Sequence, residues 1–198
     1  MGTDEDRRAL WNERFSRGEE LHGYAPSPPL PAAIAGVAPG VALDLACGAG
    51  RHALFLAEHG WRVVAVDGSS VGVDLMLGRA RERGLADRIE AHVAELESEP
   101  CRLAEPPASY DLVADFYFLH RPLLASALRT VRPGGLFVAA IHVALPERKG
   151  GHGYMLEPGE LAELAAAAGF TILHAREGDS PEGGHSHATA EIVARRRG

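Results

Sequence analysis

Cysteine is nearly absent. The 198 residues carry two, Cys47 and Cys101, too few for a disulfide framework. No charged-then-apolar leader opens the chain, since Met1 to Asp6 is polar and acidic, so a cytoplasmic protein is expected. No apolar run approaches the roughly 20 residues that span a bilayer. The richest, around Leu136 to Leu145, is broken by His142, and no membrane partner is expected. Basic residues are in deficit, 20 against 27 acidic, for a formal charge of −7. That removes the basic excess on which non-specific binding to phosphate backbones depends, so no nucleic-acid partner is expected. Internal repeats and low-complexity segments are also missing.

What remains is an average globular composition, 46% hydrophobic and 24% charged, at a length that suits one core. A single domain over 1–198 is expected, in three parts: a lead-in and lid (1–40), a core (41–141), and a substrate-side loop, helix and hairpin (142–198). Asp4 to Gly18 spaces Leu10, Trp11 and Phe15 as a short amphipathic helix. A Pro-rich stretch and one or two helical turns follow. Regular alternation then begins: strand Val41–Leu45, helix Arg51–His59, strand Trp61–Val66, helix Ser69–Arg83, strand Ile89–Val93, strand Tyr110–Phe116, helix Pro122–Val131, a Pro133-Gly134-Gly135 turn and strand Leu136–Ile141. Strands separated by helices of this length imply a parallel sheet with right-handed crossovers. A helix at Glu157–Ala168 leads to strands Phe170–Arg176 and Ala188–Ala194, which have no helix between them and should form an antiparallel hairpin at the sheet edge.

The most informative text is Leu43-Asp44-Leu45-Ala46-Cys47-Gly48-Ala49-Gly50-Arg51-His52. Glycines at the first strand-to-helix turn let a ligand approach the backbone, and the helix start offers free N–H groups. Asp67, at the end of the second strand, is placed to accept from both hydroxyls of a ribose. By itself Gly48-x-Gly50-x-x-Ala53 also fits a dinucleotide fingerprint. A carboxylate at Asp44, however, would repel a pyrophosphate and attract an ammonium or sulfonium. A ribose joined to a cationic amino-acid end describes S-adenosylmethionine.

This stretch resembles motif I of the class I S-adenosylmethionine-dependent methyltransferases. Val63-Val64-Ala65-Val66-Asp67-Gly68-Ser69 is similar to the family's second motif, Tyr110-Asp111-Leu112-Val113 to its fourth strand, and Leu128 to Leu136 (LRTVRPGGL) to its L-x-x-L-R-P-G-G-x-L turn. Trp11 to Phe15 with His22-Gly23-Tyr24 and Pro26 resembles the lead-in of the tellurite-resistance (TehB-like) small-molecule group, and Leu119 to Leu123 with Leu156 to Leu161 resembles a bacterial branch of it. The resemblance implies a Rossmann-like three-layer α/β sandwich whose seven-stranded, mostly parallel sheet ends in an antiparallel hairpin strand. It also implies methyl transfer from S-adenosylmethionine to a small molecule by a monomer or homodimer. The implied cofactor residues are Asp44, Ala46, Cys47, Gly48, Gly50, Arg51, His52, Asp67, Gly68, Ser69, Ala94, Glu95, Leu96, Phe116 and Tyr117. Glu95 stands where many members place an adenine-binding aspartate. Cys47 reads as a small packing residue.

Methyl transfer from a sulfonium requires proximity, and a base only where the nucleophile arrives protonated. Ligands bind beyond the carboxyl ends of the strands, so His120 and Arg121, after the fourth strand, are the catalytic candidates: a base, and a group for an anionic acceptor. Packing against the cofactor and local pairing are the competing readings. The Asn/Asp-Pro-Pro-Tyr signature of enzymes that methylate nucleic-acid amines is absent. Residues Trp11 to Tyr24 and His142 to Glu157 are candidates to close over the pocket, which makes Tyr24, Arg148 and Tyr154 candidate acceptor contacts. His185 and His187 share a strand face, but a third metal ligand is not evident, and no metal is expected. Two other readings stay open: a non-catalytic S-adenosylmethionine sensor or partner subunit, and a nicotinamide-dependent oxidoreductase.

Overall fold

A computed structural model describes residues 4–18, 25–97, 108–144, 154–180 and 187–198. The elements are α1 (Asp4–Ser16), α2 (Pro29–Ile34), β1 (Val41–Leu45), α3 (Arg51–Glu58), β2 (Arg62–Asp67), α4 (Ser70–Glu82) and β3 (Ile89–Val93). They continue with β4 (Tyr110–Phe116), α5 (Arg121–Thr130), β5 (Val131–His142), α6 (Glu160–Ala167), β6 (Phe170–Asp179) and β7 (Ala188–Arg196). All seven strands form one sheet in the order β3-β2-β1-β4-β5-β7-β6. β1 through β5 pair in parallel, while β7 runs antiparallel between β5 and β6. The chain order reverses between β1 and β4, and the crevice beyond that reversal is where open α/β sheets bind ligands.

The central strands are covered on both faces, which is why they read as continuous apolar runs. One core layer gathers Leu54, Leu56, Trp61 and Met76 from the α3 and α4 side, and the other gathers Leu123, Leu124, Phe137 and Phe170 from the α5 and α6 side. Against that apolar setting Asp44 and Asp115, at the carboxyl ends of adjacent strands β1 and β4, are buried acids, 1% and 2% exposed.

Four boundaries differ most from the sequence expectation. β5 already pairs at Val131, opposite Tyr110, and resumes at Leu136 opposite Leu112, so the expected Pro-Gly-Gly turn is a bulge within the strand. Asp111 faces that bulge, accepting the Val41 N–H at 2.8 Å and pairing with Arg132. α6 starts only at Glu160, because Gly159 has a left-handed φ of 82°. β6 and β7 extend to Asp179 and Arg196, since each lengthens along its partner.

Candidate active site

The turn after β1 is built from left-handed residues: Ala46, Gly48 and Gly50 have φ of 51°, 52° and 85°. Gly50 caps α3 without a side-chain bond, and the Ala53 N–H in the first turn of that helix acts on the Asp44 carboxylate. A Cβ at Gly50 would lie 2.2 Å from Met76 Cγ, and one at Gly48 would meet Phe15 at 3.0 Å. The glycines therefore serve the packing of α4 and α1 against the turn as well as a ligand's approach.

Asp67 organises the mouth. Its Oδ2 accepts the Gly48 N–H at 2.8 Å and its Oδ1 accepts the Ser69 N–H at 2.7 Å, fastening the β1 turn to the start of α4. Burial raises the Asp67 pKa, and these two N–H groups oppose the rise. Asp44 lies beneath the same turn. Burial, with the neighbouring Asp67 carboxylate adding to it, lifts its pKa to about 7 against the pull of the Ala53 N–H and Arg51. Among the described residues neither Asp44 oxygen meets a partner in full hydrogen-bonding geometry. Burial likewise raises the Cys47 thiol well above its usual value, with Asp67 and Asp44 contributing, which makes it a poor nucleophile at neutral pH.

These residues open onto a cavity of about 220 Å³. Of the expected cofactor residues, Ala46, Cys47, Gly48, Gly50, Arg51 and His52 line it from the turn and α3. Asp67, Gly68 and Ser69 line it from β2, Glu95 and Leu96 from the end of β3, and Phe116 and Tyr117 from the end of β4. Asp44 and Ala94 are not on its surface. Tyr117 has a positive φ of 63°, a strained conformation for a ring-bearing residue. Its N–H donates to Ala140 O at 2.7 Å. His52 is stacked on Phe116 at 4.0 Å, and its Nε2 accepts the Ser27 N–H at 3.2 Å, so the neutral ring carries its proton on Nδ1.

The fourth wall is α1, through Arg7, Arg8, Trp11 and Phe15. Arg7 pairs with Glu97, Arg8 lies 4.0 Å from Glu95, and Asn12 Oδ1 accepts the Ser69 hydroxyl at 2.6 Å. Trp11 and Phe15 belong to the segment expected to close over the pocket. Arg7 and Arg8 carried no signal in the sequence, because nothing local pairs them with glutamates nearly ninety residues away. Asp115 was also missed, since an acid within β4 reads as solvated until its burial is seen.

His120 and Arg121 are not brought to this cavity. His120 occupies the N-cap position of α5 without a side-chain capping bond. Arg121 donates to both oxygens of Glu160 at 2.6 and 2.8 Å and to Met155 O at 3.1 Å, the local pairing that the sequence left open. Tyr154 is exposed and away from the cavity, while Tyr24, Arg148 and His185 lie outside the described residues. Among the described residues no group of three His, Cys, Asp or Glu side chains is arranged to hold a metal, and no helix is long and apolar enough to cross a membrane.

A family profile described as a methyltransferase domain matches residues 42–135, from β1 into β5. The ubiquinone biosynthesis O-methyltransferase of Agrobacterium fabrum is 28% identical over 155 residues, 67% of this chain and 60% of its own length. Ribosomal RNA small subunit methyltransferase C of Alcanivorax borkumensis is 29% identical over 110 residues, 54% of this chain and 34% of its own. The chain thus spans about a third and three fifths of these relatives. Among solved structures, the [4+2]-cyclase SpnF superposes with a TM-score of 0.75 at 19% identity, covering 98% of this chain and 96% of that one. TehB from Haemophilus influenzae gives 0.70 at 18%, covering 85% and 61%. Burkholderia thailandensis 1,6-didemethyltoxoflavin-N1-methyltransferase, with S-adenosylhomocysteine bound, gives 0.70 at 20%, covering 100% and 92%. At these identities the structures show a shared fold.

Proposed function

We propose that this chain transfers a methyl group from S-adenosylmethionine to a small-molecule acceptor; a methyltransferase-domain profile over residues 42–135 and the fold shared with TehB support the reading. The observation that carries this reading is the pair of acids at one turn. Asp67 has both oxygens anchored at the cavity mouth, and Asp44 is buried below, its charged form supported only weakly by the Ala53 N–H and Arg51, with neither oxygen in full hydrogen-bonding geometry among the described residues. A buried carboxylate so poorly compensated is costly, and a cationic ligand above the turn relieves that cost. A pyrophosphate would aggravate it, which disfavours a nicotinamide cofactor.

When bound, S-adenosylmethionine supplies an electrophilic methyl on a positively charged sulfur. The chain's residues do the rest. Asp67 holds the ribose hydroxyls, the Gly48 to Gly50 turn and the start of α3 receive the amino-acid end, and Leu96 with Glu95 borders the adenine. Phe116 and Tyr117 wall the methyl side, while α1 keeps water from the reacting atoms, a contribution of position and dryness. The small cavity and the net charge of −7 support a small acceptor. The relative named for ribosomal RNA makes RNA the alternative to exclude.

Calorimetry tests the cofactor assignment. S-adenosylhomocysteine should bind and NAD should not, whereas binding of NAD alone would overturn the reading. Asp67→Ala should weaken S-adenosylhomocysteine by roughly tenfold to a hundredfold, the loss of a charged bond worth about 1.5–3 kcal/mol. Unchanged affinity in a folded variant would remove Asp67 from the site. A release assay for S-adenosylhomocysteine, run with small acceptors and with ribosomal RNA, identifies the acceptor class.

A further inference from the structure

An ionised carboxylate oxygen can accept two hydrogen bonds, and each oxygen of Asp67 has committed one. Oδ2 accepts the Gly48 N–H and Oδ1 the Ser69 N–H. The second position on each oxygen faces whatever ligand the acid holds, and those two N–H groups set its direction. The Ser69 N–H is itself held by the cap of α4. Ser69 is buried and its Oγ accepts the Gly72 N–H at 3.0 Å, so the hydroxyl proton needs an acceptor of its own. Asn12 of α1 supplies it from 57 residues away in the chain, with Oδ1 at 2.6 Å. The Val71 N–H points at the same oxygen from 3.4 Å. Both groups are donors, which fixes the orientation of the Asn12 amide. Phe15 brings Asn12 to this place. A Cβ at Gly48 would lie 3.0 Å from the Phe15 ring, and one at Gly72 would lie 3.0 Å from that ring and 3.1 Å from the Gly48 carbonyl. Two glycines thus form the seat of Phe15, and Asn12, three residues earlier, shares its helix face. From Glu5 to Ser16 no residue of α1 is buried, and a polar helix of 13 residues is marginal by itself, so its docking leans on such specific bonds.

Resting on the function proposed above, we propose that Asn12 is a positioning residue for the cofactor's ribose. Asn12 turns the Ser69 hydroxyl so that its lone pair meets the Gly72 N–H. That cap holds the Ser69 N–H against Asp67, and the carboxylate keeps its two open positions toward the ribose hydroxyls. The docking of α1 is thereby felt at one part of the ligand, the sugar, beyond the cover that the helix gives to the whole of it.

Calorimetry on the full chain with two ligands separates positioning from cover: S-adenosylhomocysteine, and its 2′,3′-dideoxy analogue, which lacks both ribose hydroxyls. The parent should prefer the first by roughly tenfold to a hundredfold. Asn12→Ala should reduce that preference by about threefold to tenfold. Ser69→Ala should do the same, and the double variant should go no further than Ser69→Ala, since both changes break one bond. Asn12→Asp keeps an accepting oxygen and should keep the preference. With no ligand present, amide hydrogen exchange at Ser69 and Gly72 should quicken by about threefold to tenfold in Asn12→Ala, while exchange at Val113 in β4 stays as in the parent. If Asn12 merely fastened α1, both ligands would weaken by the same factor. An unchanged preference in Asn12→Ala therefore overturns the proposal, and so does unchanged exchange at Ser69 and Gly72. Failure of the parent to bind S-adenosylhomocysteine at all would instead overturn the proposed function.

Discussion

Asp44 carries the largest local electrostatic cost in the described fold for which a titration range can be named. Its carboxyl is lifted from 3.8 to about 7, chiefly by burial. The folded state therefore resists ionisation that the unfolded chain undergoes freely near pH 4. Stability from this group is full below pH 4, declines between about 4 and 7, and is lowest above 7, a change of roughly 4 kcal/mol at the upper end. Asp115 is shifted in the same direction by burial, with Asp44 adding to it. Asp44→Asn should therefore melt several degrees above the parent at pH 8 and close to it at pH 4, measured by calorimetry without cofactor. The same substitution should weaken S-adenosylhomocysteine. A melting difference independent of pH would contradict the assignment. Both roles of Asp44 rest on position, and only one was legible in the sequence. The turn announced a carboxylate near a cation, whereas its burial depends on the apolar layer closing around it.

At the scale of elements, local signals sufficed wherever an element is specified by its own residues. Val41 to Leu45 is mostly apolar and buried on both faces, Gly60 and Gly84 end their helices, and each matched the structure closely. Reading failed where long-range pairing decides: Val131 joined a strand through Tyr110, and β6 and β7 outran their apolar stretches through each other. The candidate site follows the same division. The turn, Asp67 and the end of β4 were visible because one motif holds them, whereas Arg7 and Arg8 reach the cavity only by α1 docking on α4. Arg121 is the converse case, a chemically suggestive side chain that joins α5 to α6. Its bond to Glu160 holds that carboxyl below its usual pKa, so the pair contributes above about pH 4.5 and is lost as pH falls. Being largely exposed, it is worth at most about 1 kcal/mol. Arg121→Met should lower the melting temperature by about 1–3 °C at pH 7 and leave S-adenosylhomocysteine affinity unchanged. A raised acceptor KM with an unchanged melting temperature would restore Arg121 to the site.

Over the whole molecule, the sheet separates a ligand end from a structural end. The carboxyl ends of β1, β2 and β4 carry the cavity, and the opposite ends carry Trp61, Asp111 and the β5 bulge. The two tryptophans fall on either side of that division. Trp61 is 1% exposed in the core, whereas Trp11 is 40% exposed on α1, over the cavity, with the Arg14 guanidinium 4.8 Å from its ring centre. The chain thus contains its own optical reference and its own optical probe. Iodide should quench the emission of Trp11 and spare that of Trp61, and S-adenosylhomocysteine should protect the quenchable fraction as it fills the space beneath the indole. Trp11→Phe should abolish the ligand-dependent signal while leaving the calorimetric affinity within a few fold. A signal that survives this substitution would mean that the light reports on Trp61, and that filling the ligand end is felt across the full length of the strands.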